Sequence, residues 1–155
     1  DCRIEGLEKK SPALIILDRF FNIKKNLKIF QIKNRKIYIL TKGNNKTKEF
    51  FLKKRGIKII KLLPNKNVYF ELKQIFFSIK KLGFNRILVE SGITFISQIL
   101  RYNLVKNFFL FKSSKKLKSK GHNNSSFSVI KKTKISKKNK IKVNLKEDTL
   151  YKVRL

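Results

Sequence analysis

An α/β fold is what this sequence predicts, and three observations carry the prediction. β-favouring runs alternate with helical patterns from Ile57 to Tyr102, the arrangement that places strands side by side in a parallel or mixed sheet. Two helical patterns stop at a glycine, Gly56 and Gly83, as helices ending on a left-handed residue do. Gly83 to Leu100, GFNRILVESGITFISQIL, joins a short apolar run, a carboxylate, a glycine turn and a helical pattern. Ligands of α/β sheets bind beyond the carboxyl ends of strands, so that junction is a plausible place for chemistry on physical grounds alone.

Taken in order, Asp1–Lys10 is a polar opening segment. The chain begins on Asp rather than Met, in charged sequence, and reads as a fragment of a longer protein whose missing front would hold part of a site. Ala13–Leu17 is a continuous apolar run ending in Asp18-Arg19, the pattern of a central strand buried on both faces. Leu27–Ile32 alternates and reads as a strand, as does Lys36–Thr41, which runs into Lys42-Gly43-Asn44-Asn45. Thr47–Arg55 has helical spacing, and a strand from Ile57 to Leu62 follows it.

Glu71–Leu82 is the clearest helix. Leu72, Ile75, Phe76, Ile79 and Leu82 form one apolar face, with Lys73, Gln74, Lys80 and Lys81 off it. That stripe is core packing. Arg86–Val89 is a brief strand with Glu90 at its end, Ser91-Gly92 turns the chain, and Thr94–Tyr102 is helical. The amide groups that open such a helix bind phosphate readily. An aromatic strand follows over Asn103–Phe111, then a loop with a strand at Phe127–Ile130. Ile141–Leu145 and Thr149–Leu155 close the chain as a hairpin.

Composition narrows the function classes. A chain of 155 residues can bury a core and fits one domain. No apolar run approaches a membrane span and no signal peptide is visible. The lone Cys2 excludes an internal disulfide framework, so a reducing cytoplasmic setting is expected. His122 has no cysteine partners for a zinc site and reads as a solvated loop residue; no metal is expected. The net charge of +31 comes from 40 Lys+Arg against 9 Asp+Glu. Lysine arrives with abundant Ile, Asn and Phe, all favoured by A/T-rich codons, so the charge predicts non-specific polyanion sticking rather than a specific nucleic-acid function. Between Lys112 and Lys140 stand eleven lysines and no acid, but Phe127 is the one aromatic there, too few for single-strand stacking.

The junction also resembles the reductase half of the bacterial bifunctional riboflavin biosynthesis proteins of the RibD type. There a lead-in G-(I/V/F)-x-x-(I/L) precedes (I/L)LVE-(G/S/A)-G-x-(T/x)-L; here they are Gly83-Phe84-Asn85-Arg86-Ile87 and Leu88 to Phe95. Asp1-Cys2-Arg3 fits the end of a D-P-x-L-(T/N)-x-R segment, and Pro12 with Ile15-Ile16-Leu17-Asp18 fits a P-x-R-(V/I)-(V/I)-(L/I)-D strand, with Leu14 where arginine is usual. Further departures are Lys106-Asn107 for an acidic pair, Ser113-Ser114 for Ala-Pro and Lys118 for a closing glycine. The zinc motifs of the deaminase half, H-x-E and P-C-x-x-C, do not occur, so residues 1–155 would be the reductase domain of a protein truncated at its N-terminus.

The resemblance implies a dihydrofolate-reductase-like α/β fold, a mixed sheet flanked by helices that closes on antiparallel strands. It implies NADPH-dependent reduction of 5-amino-6-(5-phosphoribosylamino)uracil to the ribitylamino form. Arg3 and Glu90 would bind this phosphoribosylaminopyrimidine, Arg3 through its guanidinium and Glu90 by orienting the substrate. Arg19, Gly92, Ile93, Thr94 and Phe95 would bind the cofactor, the last four at its pyrophosphate; Thr41-Lys42-Gly43 is a minor candidate for the extra phosphate of NADP. The implied partners are a zinc deaminase domain upstream in the parent chain and further copies in a homo-oligomer, with no specific nucleic acid and no membrane. A different class, a small basic RNA- or ribosome-associated α/β protein without catalysis, is the competing reading.

Overall fold

A computed structural model describes residues 11–32, 34–115 and 136–155. The chain divides into two compact units, Asp1–Asn85 and Arg86–Leu155. The expected strand at Phe127–Ile130, together with Arg3, Cys2 and His122, lies outside the described residues.

The first unit is a three-stranded parallel sheet in the order β1-β2-β3, formed by β1 (Leu14–Leu17), β2 (Ile37–Thr41) and β3 (Lys58–Lys61). All five residues of β2 are buried, because it alone is flanked on both sides. The expectation of a central strand at Ala13–Leu17 is corrected here: β1 is a half-buried edge, with Leu17 41% exposed. Leu27–Ile32 is not a strand either. It holds a 3-10 turn over Lys28–Gln31, closed by Phe30 N–H donating to the Leu27 carbonyl at 3.0 Å. The turn puts the adjacent Ile29 and Phe30 against the same core, which the alternating faces of a strand forbid.

Helix α1 (Lys46–Lys54) links β2 to β3 and buries Leu52 in a cluster with Phe21, Phe30, Ile37, Ile39 and Ile57. Each such burial stabilises the unit by about 1.5–3 kcal/mol. Helix α2 (Val68–Lys81) packs Leu72, Ile75 and Ile79 inward, as its periodicity predicts. It starts a turn ahead of the predicted Glu71, because the Asn67 side chain accepts the Tyr69 and Phe70 amides at 2.9 and 3.4 Å. Both predicted glycine stops hold, with φ of 77° at Gly56 and 89° at Gly83.

The second unit opens with residues that form no ladder. Arg86–Val89, expected as a strand, has no strand partner among the described residues, and Leu88 is 72% exposed. Strand preference is mostly a preference for packing against neighbouring strands, so a β-favouring run without them stays irregular. Helix α3 (Ile93–Arg101) follows, close to the predicted bounds. β4 (Asn107–Lys112), β5 (Lys140–Ile141) and β6 (Thr149–Arg154) form an antiparallel sheet in the order β4-β6-β5. The closing hairpin is present, although its first arm is only two residues long. Among the described residues the architecture is therefore α/β with one parallel and one antiparallel sheet, where the sequence predicts a single mixed sheet.

Candidate active site

In the first unit charged and polar residues follow the carboxyl ends of β1 and β2, Asp18-Arg19 and Lys42 to Asn45, and the two strands are tied together there. Arg19 follows β1, and its carbonyl accepts the Lys42 and Gly43 amides, both at 3.1 Å. Gly43 N–H also reaches the buried Thr41 Oγ1 at 3.0 Å. Asp18 turns the chain after β1, its two carboxylate oxygens accepting Asn22 N–H at 3.0 Å and Ile23 N–H at 2.7 Å. This turn holds Phe21 at φ 60°, an uncommon conformation for a bulky residue, while Lys48 Nζ donates to the Phe21 carbonyl at 2.6 Å. Asp18 is thus a loop-shaping residue.

Two cations meet one carboxylate at this end of the sheet. Arg19 Nη2 and Lys42 Nζ each lie 2.7 Å from Glu71 Oε2, in the first turn of α2. The Glu71 side chain is 13% exposed and that of Lys42 15%, but that of Arg19 is 53% exposed. A pair of cations on one oxygen is an arrangement that also suits a phosphate. Beside it, Lys61 Nζ donates to the Gly43 carbonyl at 2.9 Å and pairs with Glu49 at 3.1 Å. Asn45 caps α1 here by accepting the Lys48 amide at 2.9 Å.

Glu49 is held below the ordinary carboxylate value, first by the hydrogen bond from Lys53, then by that from Lys61, with partial burial opposing them. A depressed carboxyl stabilises the fold at pH above its unfolded value, and that contribution is lost as the pH falls through the depressed one. Glu49→Gln is therefore expected to cost about 0.5–1 kcal/mol at neutral pH and nothing in strong acid, read from urea denaturation at both pH values. An equal cost at both would show that charge is not the cause.

In the second unit Glu90 is exposed, and it does not end a strand as expected. Gly92 is the N-cap of α3 with φ −63° and ψ 156°, and its carbonyl accepts the Ile96 amide at 3.2 Å. No side chain caps this helix. A Cβ placed on Gly92 would meet nothing within 4 Å. The glycine is thus demanded neither by backbone conformation nor by protein packing. Arg19 belongs to the first unit and Glu90 to Phe95 to the second.

The sequence pattern marks Glu71 only as the start of a packing helix and gives it no role. One signal was present: it is the sole acid within Val68–Lys81, in a chain with 9 acids among 40 basic residues. Among the described residues there is no cluster of His, Cys, Asp and Glu suited to a metal, and no helix long and apolar enough to cross a membrane.

A parallel sheet with charged residues at its carboxyl end, followed by a helix and an antiparallel sheet, defines a protein of the α/β class. Comparison with known families matches residues 2–143 to the RibD C-terminal domain. The chain belongs to that family, the reductase domain of RibD, and so to the oxidoreductases of riboflavin biosynthesis. No curated protein matches it.

Proposed function

We propose that the chain is the reductase domain of a longer deaminase–reductase protein. It would reduce 5-amino-6-(5-phosphoribosylamino)uracil to the ribitylamino form with NADPH, in the cytoplasm and as part of a homo-oligomer. The observation that carries this reading is the family match across residues 2–143, which includes the Glu90-Ser91-Gly92 junction. A dihydrofolate-reductase-like assembly of the sheets and a zinc deaminase domain upstream belong to the same proposal.

Each unit offers one group of residues suited to part of the cofactor. Gly92 leaves room for a pyrophosphate at the opening turn of α3, with the amides of Ile93, Thr94 and Phe95 in that turn. Arg19 and Lys42 supply positive charge at the sheet's carboxyl end, and the exposed part of Arg19 can take a phosphate oxygen. The bound cofactor supplies hydride to the C1 carbon of the sugar; the protein supplies position and charge. Glu90 orients the substrate, and Arg3 holds its phosphate.

The test is a fluorescence titration of the full parent protein with NADPH, followed by turnover of the phosphoribosylaminopyrimidine. Saturable binding and turnover are expected. Retention on a polyanion resin without nicotinamide binding would instead favour the RNA-associated reading. Glu71 supplies a second check, because its carboxylate competes with any anion for Arg19 and Lys42. Glu71→Gln is expected to tighten NADPH about two- to fivefold, the scale of one exposed ion pair. Unchanged or weaker binding would remove these two cations from the cofactor site.

A further inference from the structure

We infer that the open face of the antiparallel sheet is a sequence-independent binding surface for single-stranded nucleic acid. The register puts Asn107, Phe109 and Phe111 of β4 opposite Arg154, Lys152 and Leu150 of β6, with Ile141 of β5 beside Leu150. Directly opposed residues share a face, and alternate residues on a strand share it too. One face therefore carries Phe109, Phe111, Lys152 and Arg154. The other carries Phe108, Leu110, Tyr151 and Val153, of which Val153 is buried and the rest half-buried. The rings on the first face are 44% and 67% exposed.

Two phenylalanines this exposed on one strand are not explained by packing among the described residues. They stand about 7 Å apart along one strand, at two residues of antiparallel rise. Lys152 Nζ lies 5.6 Å from the Phe109 ring centre, so a cation stands beside an aromatic platform. None of the three strands contains an acid. The acids that precede β6, Glu147 and Asp148, are engaged by Ser114: its Oγ donates to Glu147 at 3.0 Å and its amide to Asp148 at 3.1 Å.

Exposed aromatic rings that stack bases, beside cations that meet phosphates, are how proteins hold single strands without reading sequence. Charge selects this occupant over a second copy of the chain, since self-association through the face would bring Lys152 and Arg154 against their own kind. The inference is independent of the reductase reading. Its stacking residues stand just before the lysine-rich segment from 112 to 140, which has one aromatic of its own.

The chain's net charge will attract any polyanion, so the experiment separates stacking from charge with neutral substitutions. Anisotropy of a labelled fifteen-residue oligothymidylate is measured on the whole chain, with inorganic polyphosphate as the parallel ligand. The double variant Phe109→Ala/Phe111→Ala is expected to weaken oligothymidylate at least tenfold, leaving polyphosphate affinity and the salt dependence of binding unchanged. Phe109→Tyr/Phe111→Tyr keeps the platform and is expected to bind as the parent chain does, which guards against simple misfolding. Lys152→Gln is expected to lower the salt slope by about 0.7, the single-strand value for one phosphate contact. Equal loss of both ligands in the alanine variant, or no loss of either, would overturn the proposal. So would a dimer in sedimentation that the alanine variant dissolves, because a second copy would then cover the face.

Discussion

Gly92→Val is expected to lower NADPH affinity by more than tenfold while leaving the fold nearly intact. The two halves of that expectation come from different observations. At φ −63° and ψ 156° the backbone is one that valine adopts without strain, and a Cβ there meets no atom within 4 Å. The cost to stability is then confined to a poorer helix N-cap, about 1 kcal/mol or less. A branched side chain over the first turn of α3 would nevertheless fill the space through which a pyrophosphate approaches the amides. Gly56→Ala is the matched control. Its positive φ makes alanine unfavourable by about 1 kcal/mol, yet it lies just past the end of α1 and belongs to neither candidate cofactor group, and NADPH affinity is expected to be unchanged. If Gly92→Val binds the cofactor as the parent chain does, the pyrophosphate is not held at α3.

The pair of glycines also shows what kinds of structure were legible in the sequence. Gly56 and Gly83 end helices, and a helix end is a local event readable from the periodic run before it. The inward face of α2 was legible for the same reason. The starts were less so, because Asn67 makes its cap with a side chain that nothing in the apolar pattern announces. Strands depend on neighbours distant in sequence. Ala13–Leu17 and Lys36–Thr41 were both read as strands, but which of them is central depends on a third strand that pairs with β2. Arg86–Val89 has strand composition and no ladder. Of the site, the Gly92 turn was visible as a motif. The meeting of Arg19, Lys42 and Glu71 was not, since those residues converge only when β1, β2 and α2 come together.

Gly43→Ala is expected to destabilise the first unit by about 3 kcal/mol, the scale of a forced backbone displacement in a packed region. A Cβ on Gly43 would stand 2.4 Å from the Phe20 carbonyl oxygen, 2.6 Å from its carbon and 2.8 Å from Phe21 Cβ. Two of those atoms are backbone, so no side-chain rotation relieves the contact. The Phe20–Phe21 segment cannot easily retreat either. Asp18 pins the turn from one side, Lys48 holds the Phe21 carbonyl from another, and the Phe21 ring is buried in the core cluster. Urea denaturation should show the loss as a lower midpoint with an unchanged slope. The same clash would push Arg19 and Lys42 apart, because the Arg19 carbonyl is bonded to the Lys42 and Gly43 amides. NADPH affinity should therefore fall in molecules that remain folded. Gly56→Ala, with open space around its Cβ but a positive φ, provides the comparison: a loss at Gly43 no larger than at Gly56 would mean that the close approach of β1's loop to β2's relaxes at little cost, since Gly43 has no positive φ to explain a loss.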